Sequence, residues 1–400
     1  MKSLSKLLGA LLLGLLLLIA VAGFALTYLL DPNDYKDEIR SLVQAKTGYD
    51  LQINGDIGWS LFPWLGLELA DARLARVGMS DQPFADIRLL ALSVQVLPLL
   101  RKEIRMSDIR LEGLDLTLHR NAKGDSNWED APADTGSAVT TAAETDNTQQ
   151  PTAKPANIKL EIDSLIVNSA RLDYSDEQNN QHITLESVQI STGAIGEQQN
   201  IPLKLSGFLA SSTPLLRARM ELSASAWMDN QSRQYRLDAL KVAGEVAGEP
   251  LNNKSANIAA NGNLQLDLKQ QRLSWEQLRF SVNQLKGMGE LQVEQLNDSP
   301  AIAGQLSLAA FNLREFLPGI GITLPAMQSK SALGHFELTA QLQGTRNSLL
   351  LDNASIRMDD SSFTGKLGIR NLEQGALLAH LTADQLNMDS YLPPTAPVKK

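Results

Sequence analysis

Four histidines, His119, His182, His335 and His380, are the first residues to test for chemistry, because imidazole both moves protons and ligates metals. They lie far apart in the chain, and none has a second candidate ligand at metal spacing. Each therefore reads as a surface or strand-end residue. Ser3-Leu4-Ser5-Lys6 and Lys46-Thr47-Gly48 match two signatures of penicillin-binding enzymes. The serine, however, precedes an apolar run, and the Lys-Thr-Gly closes a helical stripe where an enzyme would need a strand. Gly287-Met288-Gly289 has no third glycine and no following helix, so it is not a dinucleotide loop. Asp359-Asp360 reads as a turn between strands. The chain contains no G-x-S-x-G, no phosphate loop and no H-E-x-x-H. It has no cysteine, which excludes disulfides and thiolate metal sites. The expectation is a protein that is not an enzyme, with no catalytic, cofactor or metal residues. A paired-carboxylate cleft for glycan chemistry is the one catalytic reading that sequence spacing leaves open.

With no reactive constellation to position, the organising element is Leu7–Leu30, an uncharged run without proline. Two dozen helical residues reach about 36 Å, enough for a hydrocarbon core of about 30 Å. Lys2 and Lys6 precede the run, and Asp31, Asp34, Asp37 and Glu38 follow it. The positive-inside bias thus predicts a single-pass anchor with a cytoplasmic N-terminus. Ala20-Val21-Ala22 also fits a leader-peptide cleavage site, the competing reading. Either way the body lies outside the cytoplasm. Net charge is −9, which argues against a nucleic-acid surface and offers no basic patch for anionic headgroups.

After the anchor, Asp31-Pro32 supplies a helix start and Gly48 a stop, predicting a short amphipathic helix over 32–47. Its stripe of Tyr35, Ile39, Leu42 and Val43 could sit against the membrane or against the first strands. From Asp50 the hydrophobic period changes to two. Asn54-Gly55-Asp56 reads as a hairpin turn between Leu51/Ile53 and Ile57/Trp59. Trp59 and Trp64 are candidates for the membrane interface, or plugs of a thin aliphatic core. The stretch 131–157 has one branched aliphatic residue and no aromatics, and reads as a disordered loop or linker. From Ile158 onward short alternating segments follow one another almost without helices. About twenty strands are expected in all. Phe311-Asn312-Leu313…Phe316-Leu317-Pro318 is echoed by Leu386-Asn387-Met388…Tyr391-Leu392-Pro393, each placed to close a strand group with a helical turn.

Alternating strands present one apolar face each, and the sequence holds few helices to cover it. Such a sheet can close as a sandwich or barrel, or curl into a trough around an apolar ligand. The run Gly55-Asp56-Ile57-Gly58-Trp59-Ser60-Leu61-Phe62-Pro63-Trp64-Leu65-Gly66-Leu67, with Asn33-Asp34-Tyr35-Lys36, Lys46-Thr47-Gly48, Leu97-Pro98-Leu99-Leu100-Arg101, Asn127-Trp128 and Tyr391-Leu392-Pro393-Pro394, resembles AsmA proteins of Gram-negative bacteria. The resemblance implies an inner-membrane protein with a periplasmic β-groove, associated with outer-membrane biogenesis and placed among bridge-like phospholipid transporters. It implies no catalytic residues. Relatives usually continue with another β-rich region, whereas this chain reaches a Pro-rich stretch at 393–397.

The expected fold is therefore mainly β: a transmembrane helix and a short amphipathic helix, then a long, curled, antiparallel-rich sheet forming an elongated groove. The expected divisions are a leader and anchor (1–30), a helix with the groove start (31–130), the loop or linker (131–157), a repetitive groove (158–393) and a tail (394–400). Leu264, Leu266, Leu268, Leu338 and Leu342 are the candidates for the groove interior. The expected partners are phospholipid acyl chains, the inner membrane, and outer-membrane or periplasmic assembly proteins, with no nucleic acid. A non-lipid-binding scaffold for outer-membrane protein assembly is the alternative.

Overall fold

Asp31 accepts the backbone N–H of Asn33 at 2.9 Å, which starts a 3-10 turn over Pro32–Tyr35. The turn leads directly into helix α1 (Lys36–Thr47). Gly48 ends α1 in the left-handed conformation (φ 75°), with its N–H bonded to the Gln44 carbonyl at 2.9 Å. The expected amphipathic helix is thus present, start and stop included. These coordinates come from a computed structural model that describes residues 31–60, 65–94, 106–128, 162–297, 299–372 and 374–394. The Leu7–Leu30 span, Trp64, the Leu97–Arg101 corner and the 131–157 segment lie outside the described residues. Among the described residues, no helix is long and apolar enough to cross a membrane.

The remaining described chain is overwhelmingly strand, eighteen in all. It divides into two compact units, Met1–Asn180 and Gln181–Lys400. The first unit holds β1 (Tyr49–Ile53), β2 (Ile57–Ser60), β3 (Leu65–Arg76), β4 (Ala85–Val94), β5 (Met106–Arg120) and β6 (Ile162–Asp176). Here β1 and β2 both pair antiparallel with β3, and β3, β4 and β5 pair in succession. The β5–β6 pair is parallel.

The second unit runs β7 (Gln181–Thr192), β8 (Ile201–Ser212), β9 (Leu215–Asp229), β10 (Gln234–Gly248), β11 (Ser255–Asp267), β12 (Arg272–Val282), β13 (Leu285–Glu294) and β14 (Ala301–Phe311). Helix α2 (Leu313–Gly319) follows, then β15 (Phe336–Thr345), β16 (Ser348–Met358), β17 (Ser361–Asn371) and β18 (Ala376–Ala383). Each of these strands pairs antiparallel with the next.

Two expectations need correction. Asn54-Gly55-Asp56 is not a hairpin turn, because β1 and β2 lie end to end along β3. The three residues bridge a kink opposite Asp71 (φ 44°), whose carbonyl accepts the Asn54 N–H at 2.9 Å. A Cβ at Gly55 would lie 2.5 Å from the Ala70 carbonyl oxygen, so close backbone approach explains the glycine. Secondly, some of the short alternating segments are halves of one strand interrupted by a β-bulge. Ile356–Met358 and Leu349–Leu351 both belong to β16, whose register shifts at Asp352-Asn353 (φ 48° at Asn353).

The repeated Asn-containing octapeptide is structural in both copies. Asn312 caps α2 by accepting the Glu315 N–H at 3.1 Å, and Asn387 opens a 3-10 turn over Met388–Ser390. The second copy docks on the loop that follows the first, through Gln328 N–H to Leu392 O at 2.8 Å and Ser329 N–H to Ser390 O at 3.1 Å. Arg314 holds that loop from the other side by donating to the carbonyls of Ser329 and Lys330, both at 3.0 Å.

Candidate functional site

Directly paired residues on adjacent strands point to the same side of a sheet, so the pairing register shows which side chains share a face. Starting at Leu264 in β11, the register runs through Trp275, Leu291, Gly304 and Leu342 to Leu351, Leu367 and Ala379 in β18. In the other direction it runs through Leu237 and Ala226 to Ile201 in β8. This level crosses eleven strands of the second unit without a polar side chain other than the indole of Trp275. The neighbouring level takes Leu266 through Leu273, Val293 and Ile302 to Leu349, Ile369 and Leu377. Leu338 lies two levels the other way, paired with Leu308 and Ile356.

Four of the five leucines expected to line a groove therefore lie on one apolar face. Leu264, Leu266 and Leu342 are half-buried, and Leu338 is 6% exposed within a cluster that includes Ala340, Ala354 and Ile356. Leu268 is placed differently. It follows the last residue of β11, in the turn to β12, and is 44% exposed. Asp267 shapes that turn by accepting the N–H groups of Lys269 and Gln270, both at 2.9 Å. Trp59 belongs to the first unit, where it pairs in register with Leu67, Leu92, Ile109 and Leu165 on an equally apolar face.

The opposite side of the same strands is hydrophilic. Glu290, Gln305, Gln341 and Asp352 stand in one register there, and Lys366 pairs with Asp352 at 3.0 Å. A depression of about 1250 Å³ lies along the bulges, and most of its lining side chains, among them Asn263, Glu290, Gln305 and Gln341, belong to this hydrophilic face. An oily ligand belongs on the other side.

Sequence reasoning missed the level that carries the bulges. Leu240, Leu278, Leu306 and Ala340 face the same apolar side between the levels already named, with Gly262 and Gly289 interleaved. Leu240 is 3% exposed and Leu278 8%. Among the described elements, no second sheet is packed across the apolar face; α2 and the residues after it close one end of it, where Phe316 packs on Phe311 and Asn252 Nδ2 donates to Gly321 O at 3.0 Å. The strands bend at this level, where β10, β12 and β16 each carry a bulge. Crowding there is direct: a Cβ at Gly289 would run into the Gln305 carbonyl oxygen. Shielding fades toward the edge, where Leu349 is 41% and Leu377 81% exposed. One buried donor, the indole Nε1 of Trp275, has no hydrogen-bond partner among the described residues.

At one end of the unit, Asp359 in the β16–β17 turn gathers three donors. These are the N–H groups of Leu333 (2.7 Å) and His335 (3.1 Å) and the hydroxyl of Tyr391 (2.8 Å). Burial alone would raise the Asp359 carboxyl, but these hydrogen bonds outweigh it and hold the group below the usual carboxylate range. Burial, reinforced by the carboxylate beside it, pushes Tyr391 up to about 12.

Fold and site together define a class: a largely antiparallel β-protein whose second unit is a single layer with one apolar face and one hydrophilic face. The chain belongs to the AsmA family, whose family model matches residues 1–399. It is 24% identical over 407 residues to Protein AsmA of Escherichia coli (strain K12), an alignment that takes in 96% of this chain and 63% of that protein. The chain thus spans less than two thirds of the length of this curated relative. No solved structure matches.

Proposed function

We propose that this protein shields or transfers phospholipids in the periplasm by laying their acyl chains along the apolar face of its sheet. It is tied to the inner membrane by the Leu7–Leu30 span and acts without catalysis, in support of outer-membrane biogenesis. One observation carries the reading: apolar side chains in unbroken register across eleven strands of a single layer. Transferring apolar area from water is favourable by about 25 cal/mol per Å², so acyl chains laid on half-exposed leucines gain what a second protein layer would otherwise supply. The sheet is crowded at Gly289, whereas Leu264, Leu266 and Leu342 remain partly open. We therefore assign the acyl contact to those open levels.

The test is mass spectrometry of the detergent-purified full chain. The reading expects phospholipid in stoichiometric amount, with stability lost on delipidation. Lipid-free protein of unchanged stability would contradict it.

A second reading, a scaffold for outer-membrane protein assembly, is favoured by β18. Among the described residues this strand has a register pairing with β17 alone, and Leu377 near its start is 81% exposed. An open strand edge is a template for another chain. That reading expects protein cross-links from β18 and no lipid.

A further inference from the structure

The apolar stripe of α1 is divided between two surroundings. Ile39 and Val43 are half-buried, whereas Leu42 and Tyr35, the residue that leads into the helix from the 3-10 turn, are 59% and 50% exposed. The helix cannot rotate to hide them, because three contacts fix its seat. Asn33 makes a two-way bond with the first residue of β2, its Nδ2 donating to Ile57 O at 3.1 Å and its Oδ1 accepting the Ile57 N–H at 2.9 Å. Arg40 Nε donates to Leu51 O at 2.9 Å, and Lys36 lies 3.8 Å from Asp56.

We infer that the exposed side of α1, marked by Tyr35 and Leu42, lies in the headgroup layer of the bilayer that holds the N-terminal span. This rests on the reading of Leu7–Leu30 as a retained anchor. Chain length sets the depth: the apolar run ends at Leu30, and five residues reach at most about 17 Å even when fully extended. The 3-10 turn over Pro32–Tyr35 shortens that reach, since it rises only about 2 Å per residue. The headgroup layer is itself roughly 5–7 Å thick on each side, so α1 begins within that layer or close enough to it for its exposed side chains to reach in. Tyrosine is favoured at that level, and Lys46, one turn beyond Leu42, can lay its stem on the apolar side while its ammonium reaches lipid phosphate. Through the Asn33–Ile57 bond, the helix would hold the first strands at a set height above the lipid.

The absence of cysteine makes the test clean. Single cysteines at Tyr35→Cys, Leu42→Cys and, on the opposite side of the helix, Gln44→Cys would each carry an environment-sensitive fluorophore. The full-length chain would be reconstituted into phosphatidylethanolamine–phosphatidylglycerol vesicles. Probes at 35 and 42 should be quenched several-fold more by a lipid-borne nitroxide than the probe at 44, and less by aqueous iodide. Chain that floats with the vesicles but shows equal quenching at all three positions overturns the placement of α1 and leaves the anchor standing. Chain that fails to float overturns the anchor and this inference together.

Discussion

The hydroxyl of Tyr391 donates to Oδ2 of Asp359 across 2.8 Å, joining residues 32 positions apart. The bond ties the chain after β18 to the β16–β17 turn, beside the loop secured by Arg314. It also makes the end of the second unit sensitive to pH. Asp359 is depressed in the folded state, so its contribution is complete above the unfolded carboxylate pKa of about 3.9 and is lost as pH falls through the folded value. Tyr391 is raised to about 12, so its contribution is complete below about pH 10 and fades as pH climbs toward 12. Tyr391→Phe should cost on the order of 1 kcal/mol near neutrality, since the site is only partly buried. Urea unfolding from pH 3 to 7 checks this. Asp359→Asn should flatten the acid limb, and an unchanged limb would refute the assignment.

Face polarity gives a sharper test of ligand contact. Leu266 and Gln265 are adjacent in β11 but point to opposite sides. Leu266→Asp should abolish lipid copurification, whereas Gln265→Asp should leave it within about twofold. Circular dichroism separates lost binding from lost folding, and equal effects at the two positions would contradict the one-sided account.

Crowding at the bend predicts intolerance to small additions. Gly289→Ala places a methyl group where the Gln305 carbonyl already sits, and should destabilise the second unit by about 1–3 kcal/mol. Denaturant unfolding would show this, and a neutral result would mean that the strands can separate freely there.

The bulge in β10 is held by Ala239 at φ 49°, a left-handed conformation that suits glycine better. Ala239→Gly should be neutral or stabilising by up to about 1 kcal/mol, and Ala239→Val clearly destabilising. A reversed order in thermal unfolding would show that the side chain at 239 matters more than the backbone.

Asn33 stands in for a neighbouring strand at the edge of β2. Asn33→Ala should leave the Ile57 N–H and C=O without these partners and cost about 1–2 kcal/mol. Amide exchange at Ile57 should accelerate while exchange in β11 stays unchanged. Acceleration everywhere would make the effect global.

The strand-rich class, the capped helix over 32–47 and both copies of the Asn-containing turn were legible in the sequence, because period-two alternation and capping chemistry are local signals. The bulges were not. One extra residue shifts the apolar phase, so the apolar residues on either side of Asp352-Asn353 in β16 fall out of step. The same shift concealed Leu240 and Leu278, which fall out of step with Leu237 and Trp275 yet share their face. Strand β18 is weakly patterned in sequence, because Leu377 and Leu378 stand on opposite faces and alanine occurs on both. The end-to-end placement of β1 and β2 depends on a long-range partner, β3, and Asn54-Gly55-Asp56 in isolation mimics a hairpin turn. The shared face of Leu264 and Leu342 emerges only once five strands are in register.

The most direct test of the central claim is photo-crosslinking along adjacent positions in living cells, with a photoreactive residue placed singly at 264, 265, 266, 341 and 342. The account predicts phospholipid adducts at 264, 266 and 342, and none above background at 265 and 341. Adducts independent of which side the residue faces, or protein adducts alone at all five, would contradict it.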